Sequence, residues 1–190
     1  MADKKKMSYE LNEEMLALIE KEFSPEKIAQ QFAEKIAKKS QKEVAKIGEE
    51  VFAQYGIGLM KRSRQLGEEY PDRTYEVLRE ASETTGRWLD FPLVPQRFIE
   101  IAFLSTQRQQ VIPVIENNFQ RLIFQVKDCK TYAAVQKETG AEVASQLLCR
   151  HGCLKACETI FKDFGFEEVV AGMNAATNKE GFCEFMVRRV

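Results

Sequence analysis

The period of the apolar pattern changes near residue 110, and that change limits the chain to one broad architecture. Before it, apolar residues recur at helical spacing. After it, "VIPVIENNFQRLIFQV" has two short runs rich in β-formers about a polar Glu116-Asn117-Asn118 turn, the pattern of a hairpin. Pro113 cannot donate a ladder hydrogen bond, so the first of these strands belongs at an edge. On the second, Leu122, Phe124 and Val126 share a face. "EEVVAGMNAATNKEGFCEFMVRRV" predicts another hairpin turning at Asn178-Lys179-Glu180-Gly181, with Cys183, Phe185 and Val187 on one face and Phe182, Glu184 and Met186 on the other. The intervening "KDCKTYAAVQKETG" and "AEVASQLLCRHGCLKACETIFKDFG" read as helices closed by Gly140 and Gly165. The expected class is α+β: an antiparallel sheet of two hairpins backed by helices.

The helical part is expected over residues 1–90, with the α+β module over 91–190, unless the two merge into one domain. Asn12 is the first candidate N-cap, followed by Glu13 and Glu14. Phe23-Ser24-Pro25 interrupts the first helix, with Ser24 placed to cap a second and Pro25 at its first position. Ile28, Phe32, Ile36, Val44, Ile47 and Val51 then fall on one face, and Gly56 and Gly58 are expected to end that element. Lysines 35, 38, 39, 42 and 46 are interleaved with Glu34, Glu43, Glu49 and Glu50. That mixed-sign pattern reads as a solvated helix face, against the alternative of a helix lying on an anionic membrane. A further helix is expected from about Arg73 to Leu89. "DFPLVP" implies an irregular connection, and "PQRFIEIAFLS" implies about two helical turns.

Lys and Arg number 28 against 29 Asp and Glu, a net charge of −1. This balance gives no basic stripe of the kind a nucleic-acid binder displays. No segment approaches the roughly 18 apolar residues of a membrane span. "MADKKKMSYELNEEM" has no apolar core of a secretory signal, and the five cysteines include three within nine residues, too local for a disulfide framework. The expected compartment is the reducing cytoplasm.

Chemistry concentrates in "LLCRHGCLKACETIF", residues 147–161, which holds Cys149, Cys153, Cys157 and the single histidine, His151. Residues four apart on a helix lie about 6 Å apart and can share one zinc, with Zn–S bonds of about 2.3 Å. Cys149 and Cys157 are separated by about 12 Å along the axis, so all three cannot. A metal set would use Cys149 with Cys153, or Cys153 with Cys157, and draw its other ligands from elsewhere, with Cys129 and Cys183 of the strands as the available thiols. A reactive thiol would use Cys149, with His151 as its base and Arg150 and Lys155 lowering its pKa. His151, however, falls about 160–200° around the helix from either neighbouring cysteine. The third reading is an apolar helix face in the core, free cysteine being among the most buried residue types. Trp88, in "TGRWLDFP", is a core anchor or a ligand-stacking residue.

From Arg121 onward, "RLIFQVKDC", "ETGAEVASQLLCRHGC" and "KDFGFEEVVAGMNAATNKEGFCEF" resemble the L-2-amino-thiazoline-4-carboxylic acid hydrolase-like family and, more distantly, the 4-vinyl reductase domain. The shared features are a strand running into a cysteine, a second cysteine in a helical middle, and a closing C-x-F strand: Cys129, Cys149 and Cys183-Glu184-Phe185. The first resemblance implies a small-molecule protein that opens a cyclic amidine by water, with an acid or base near the ring and a carboxylate pocket. It also implies an acidic residue three positions after the second cysteine, where Gly152 stands. The second implies a sensor or binding module, with zinc as its cofactor where a cysteine group is complete; Ala175 stands at one expected cysteine. Catalytic candidates are thus Cys149 and His151, and ligand-binding candidates Trp88 and Arg150. A helical interaction protein or homo-oligomer is the remaining class.

Overall fold

A computed structural model describes residues 13–69, 93–109, 112–118, 120–166 and 168–190. Helices Glu13–Glu22 (α1) and Pro25–Ile36 (α2) are separated at Ser24. The serine is extended, its Oγ accepts the Lys27 N–H at 3.4 Å, and Pro25 starts α2 without needing a donor. Asn12, Trp88 and the helix expected at 73–89 lie outside the described residues.

Two expectations fail in the next stretch. The chain leaves the helix before Lys38, whose φ is 63°, and re-enters as Gln41–Glu69 (α3). A reciprocal cap starts α3: the Ser40 N–H and Oγ donate to the Glu43 carboxylate at 2.9 and 2.7 Å, and the Glu43 N–H donates to Ser40 Oγ at 3.4 Å. Gly56 and Gly58 do not end α3, which runs on to Glu69. Each glycine costs the helix about 1 kcal/mol, but Gly56 lies where α3 crosses another helix, and a side chain there would overlap backbone.

Leu93–Gln107 (α4) is longer than the two turns expected. Pro95 is accommodated inside it because the first four N–H groups of a helix have no intrahelical partner. Strands Val114–Asn117 (β1) and Arg121–Lys127 (β2) form the first hairpin. Its turn is set two residues later than expected by Asn118, whose Oδ1 accepts the Gln120 and Arg121 N–H groups at 2.9 and 3.0 Å. Lys130–Thr139 (α5) ends at Gly140 with φ 84°. The helix expected through residues 141–164 is broken: Ala141–Ser145 (α6), a turn with Leu147 at φ 54°, then Arg150–Asp163 (α7) with Cys149 as its N-cap. Val169–Ala175 (β3), a single helical turn at Thr177–Glu180 (α8) and Phe182–Arg189 (β4) complete the second hairpin, with Gly181 in the left-handed region at φ 76°.

The sheet is antiparallel, in the order β1-β2-β4-β3, which confirms the α+β class. The register sets Leu122 opposite Val187, Phe124 opposite Phe185 and Val126 opposite Cys183, all buried on one face. β1 is an edge; the Pro113 carbonyl accepts from Gln125 N–H at 2.9 Å, and the strand carries an irregularity after Val114. Phe98, Ile99 and Phe103 of α4 and Ala156, Ile160 and Phe161 of α7 join the buried sheet residues in one core, together with Met15, Ile19, Leu59 and Met60. Ring centroids of Phe103 and Phe124, and of Phe124 and Phe185, lie 5.6 Å apart. A second core joins Ile28 and Phe32 of α2 and Phe52 of α3 to Val135, Leu148 and Cys149. Both cores therefore draw on residues from each side of position 90. None of the described helices is long and apolar enough to cross a membrane.

Candidate functional site

Four of the five cysteines reach one small cavity between the sheet and the start of α7: Cys129, Cys149, Cys153 and Cys183. Local structure aims each of them. Asp128, at φ 46°, turns the chain out of β2 and leaves Cys129 as the N-cap of α5, where its sulfur accepts the Tyr132 N–H at 3.4 Å. Cys183 is the first inward residue of β4, opposite Val126. Leu147 bends the chain so that Cys149 caps α7, and Cys153 follows one turn later. Cys157, a turn further, does not line the cavity and packs in the core beside Ala156 and Ile160.

The remaining wall is mostly apolar, formed by Val126, Leu147, Met173 and Phe185, with Thr131 and Arg150 supplying polar groups. The void is about 10 Å³, the threshold for a single water. Arg150 makes no ion pair among the described residues.

Burial sets the state of the thiols. It pushes Cys129 up to about 12 against the opposing Tyr132 and Thr131 amides. Cys149 and Cys153 are raised by desolvation first and then by neighbouring thiols, Cys129 foremost in both cases, and Cys183 by desolvation. All four are protonated at neutral pH. The thiolate is the nucleophile, so this environment opposes nucleophilic reactivity.

The zinc set inferred from sequence is not assembled. Among the described residues, no group of three or more His, Cys, Asp or Glu side chains is placed to hold a metal ion. Convergence on an apolar void differs from convergence on a point about 2.3 Å from each sulfur. His151 does not line the cavity; its charged neighbours are Arg150, Glu49 and Lys155, and partial burial followed by Arg150 lowers its pKa. Val126, Leu147, Met173, Phe185 and Thr131 were not singled out as site residues from sequence. Val126 and Phe185 are legible as inward strand positions and Leu147 as part of the apolar helical face with Cys149 and Cys153, whereas Met173 carries no separate signal.

A larger open groove, about 600 Å³, lies between α2 and α3 and includes Phe23, Ile28, Ile47, Val51 and Tyr55. Three of its polar groups serve the fold: Tyr55 Oη donates to the Phe23 carbonyl at 2.8 Å, Lys27 Nζ donates to the Lys21 carbonyl at 2.6 Å, and Glu22 pairs with Arg62 at 2.9 Å. The thiol cavity is smaller but gathers groups from more elements, and is the better candidate. No protein-family model matches the chain, and no curated protein or solved structure does so.

Proposed function

We propose that the protein binds a small carboxylate-bearing molecule at the cavity between the sheet and α7. The observation that carries this reading is the placement of Arg150 on an apolar, thiol-lined wall without an ion-pair partner among the described residues. A guanidinium there offers a planar, bidentate partner for a carboxylate, and the surrounding side chains suit a compact apolar or sulfur-containing ring. The resemblance to the L-2-amino-thiazoline-4-carboxylic acid hydrolase-like family supports the same ligand class.

Binding requires the walls to part, because the void admits about one water. The turn between α6 and α7 supplies two wall residues, Leu147 and Cys149, and holds Leu147 at a positive φ, so it is the segment assigned to move. Ring opening by water needs an acid or base within hydrogen-bond reach of the ligand. The described wall offers neutral thiols, one hydroxyl and a guanidinium, which favours binding over hydrolysis.

Titration calorimetry with 2-amino-thiazoline-4-carboxylate tests this. Saturable binding weakened at least tenfold by Arg150→Ala is expected, with no carbamoyl product after prolonged incubation. Absence of binding by the unsubstituted protein would overturn the ligand class; appearance of product would overturn the restriction to binding.

A further inference from the structure

β3 closes one side of the sheet as an edge strand among the described residues, and its seven residues, VVAGMNA, contain neither charge nor proline. Natural edges of this length are normally blunted by charge, proline or a bulge. The opposite edge follows that rule. β1 spans four residues, follows Pro113, is irregular after Val114, and carries the Glu116–Arg121 ion pair at 2.7 Å. On β3 the irregularity comes only after Met173, so the stretch from Val169 to Met173 stays regular.

Hydrogen-bond phase fixes what this edge can accept. The Val190 N–H donates to the Glu168 carbonyl at 3.0 Å, so residues 168, 170 and 172 bond towards β4. By the two-residue period, Val169, Ala171 and Met173 direct their N–H and C=O groups away from the sheet. On the outer face Val170 is 46% exposed, and a Cβ on Gly172 would meet nothing within 4 Å.

We propose that β3 pairs antiparallel with β3 of a second copy of this chain, about a two-fold axis through Ala171. In that register Ala171 exchanges both hydrogen bonds with its mate, and Val169 pairs with Met173 of the other copy, so every outward group of the regular stretch is used. One opposite-charge pair is available at each flank. Glu168 of one copy comes opposite Asn174 of the other, and Lys179 shares a surface depression with Asn174 and Met173. Glu180 and Glu184 line the same depression, and Lys179 is the basic group among its lining residues, which makes it the group placed to pair with Glu168 of the other copy. The uncharged strand brings no like charges together at the axis. The two sheets become one of eight strands.

Sedimentation of the full chain over a range of concentrations, with reductant present to exclude disulfides, tests the pairing. The unsubstituted protein should reach a dimer. Val170→Lys, at an exposed position, should weaken the dimer at least tenfold. Ala171→Pro should do the same while leaving the bonds to β4, with circular dichroism reporting the fold. Lys179→Glu should weaken it, and adding Glu168→Lys should restore it. A protein monomeric at every concentration overturns the proposal, as does a dimer indifferent to Val170→Lys. Failure of the charge exchange to restore pairing overturns the register.

Discussion

Gly56 of α3 and Gly152 of α7 meet backbone to backbone: a Cβ on Gly56 would overlap the Gly152 carbonyl oxygen and lie 2.9 Å from its Cα. The crossing sets how closely α7 lies against α3, and so where the four thiols gather. Gly56→Ala should destabilise the fold by about 1–3 kcal/mol, because backbone on both sides must shift. Any gain in helix propensity is smaller, about 1 kcal/mol. Gly152→Ala should cost less, since its Cβ would lie 3.1 Å from the Phe52 carbonyl oxygen. Urea denaturation of both variants checks the ranking.

Gln107 ties the end of α4 to the start of α5. It is buried, its Oε1 accepts the Lys130 N–H at 2.7 Å, and its Nε2 donates to Thr131 Oγ1 at 3.0 Å. Gln107→Leu should cost about 1–3 kcal/mol by leaving both partners unsatisfied. It should also disturb the Cys129 wall of the cavity, so ligand affinity measured calorimetrically should fall together with the denaturation midpoint.

The thiols should be slow to react in the folded protein. A group held near 12, as at Cys129 and Cys157, carries about 10³-fold less thiolate at neutral pH than an ordinary cysteine. A disulfide reagent should therefore label the native chain slowly and find all five cysteines once it is unfolded. The sign of the pH effect follows from linkage. Folding raises these pKa values, so the unfolded chain loses its protons first as pH rises. The stability they contribute is intact below about 8.5 and is lost as pH climbs towards about 12. Thermal melts across that range, in reductant, measure it.

Glu43 should act in the opposite sense. Hydrogen bonds from Ser40, first from its side chain and then its backbone, with the Lys39 charge adding to them, hold this carboxyl below its ordinary value. Its contribution is present at neutral pH and is lost as pH falls through the lowered value. Glu43→Gln should reduce the acid sensitivity of α3 without altering stability trends above pH 8, as followed by circular dichroism.

Much of the fold was local and so legible. Ser24-Pro25, Gly140, Gly165 and Gly181 mark boundaries through their own conformational preferences, and the alternation in β2 and β4 identified the buried face. The Ser40-Gln41-Lys42-Glu43 cap was also legible, as a serine followed three residues later by glutamate, but a continuous apolar face from Ile28 to Val51 masked it. Other features depend on partners far away in the chain. Lys38 and Leu147 adopt positive φ although neither side chain prefers it, a cost that the packing of α2, α3 and α7 offsets.

By itself the sequence determined the α+β class, the faces of the hairpins and the presence of thiols at the ends of several elements. Tertiary structure decided where those thiols meet. Periodicity places a side chain on a face, but the distance between faces depends on how closely helices cross, and Gly56 against Gly152 sets that for α7. At the resulting separation, four cysteines line a nearly filled apolar void rather than ligate one metal, and His151 stays outside it.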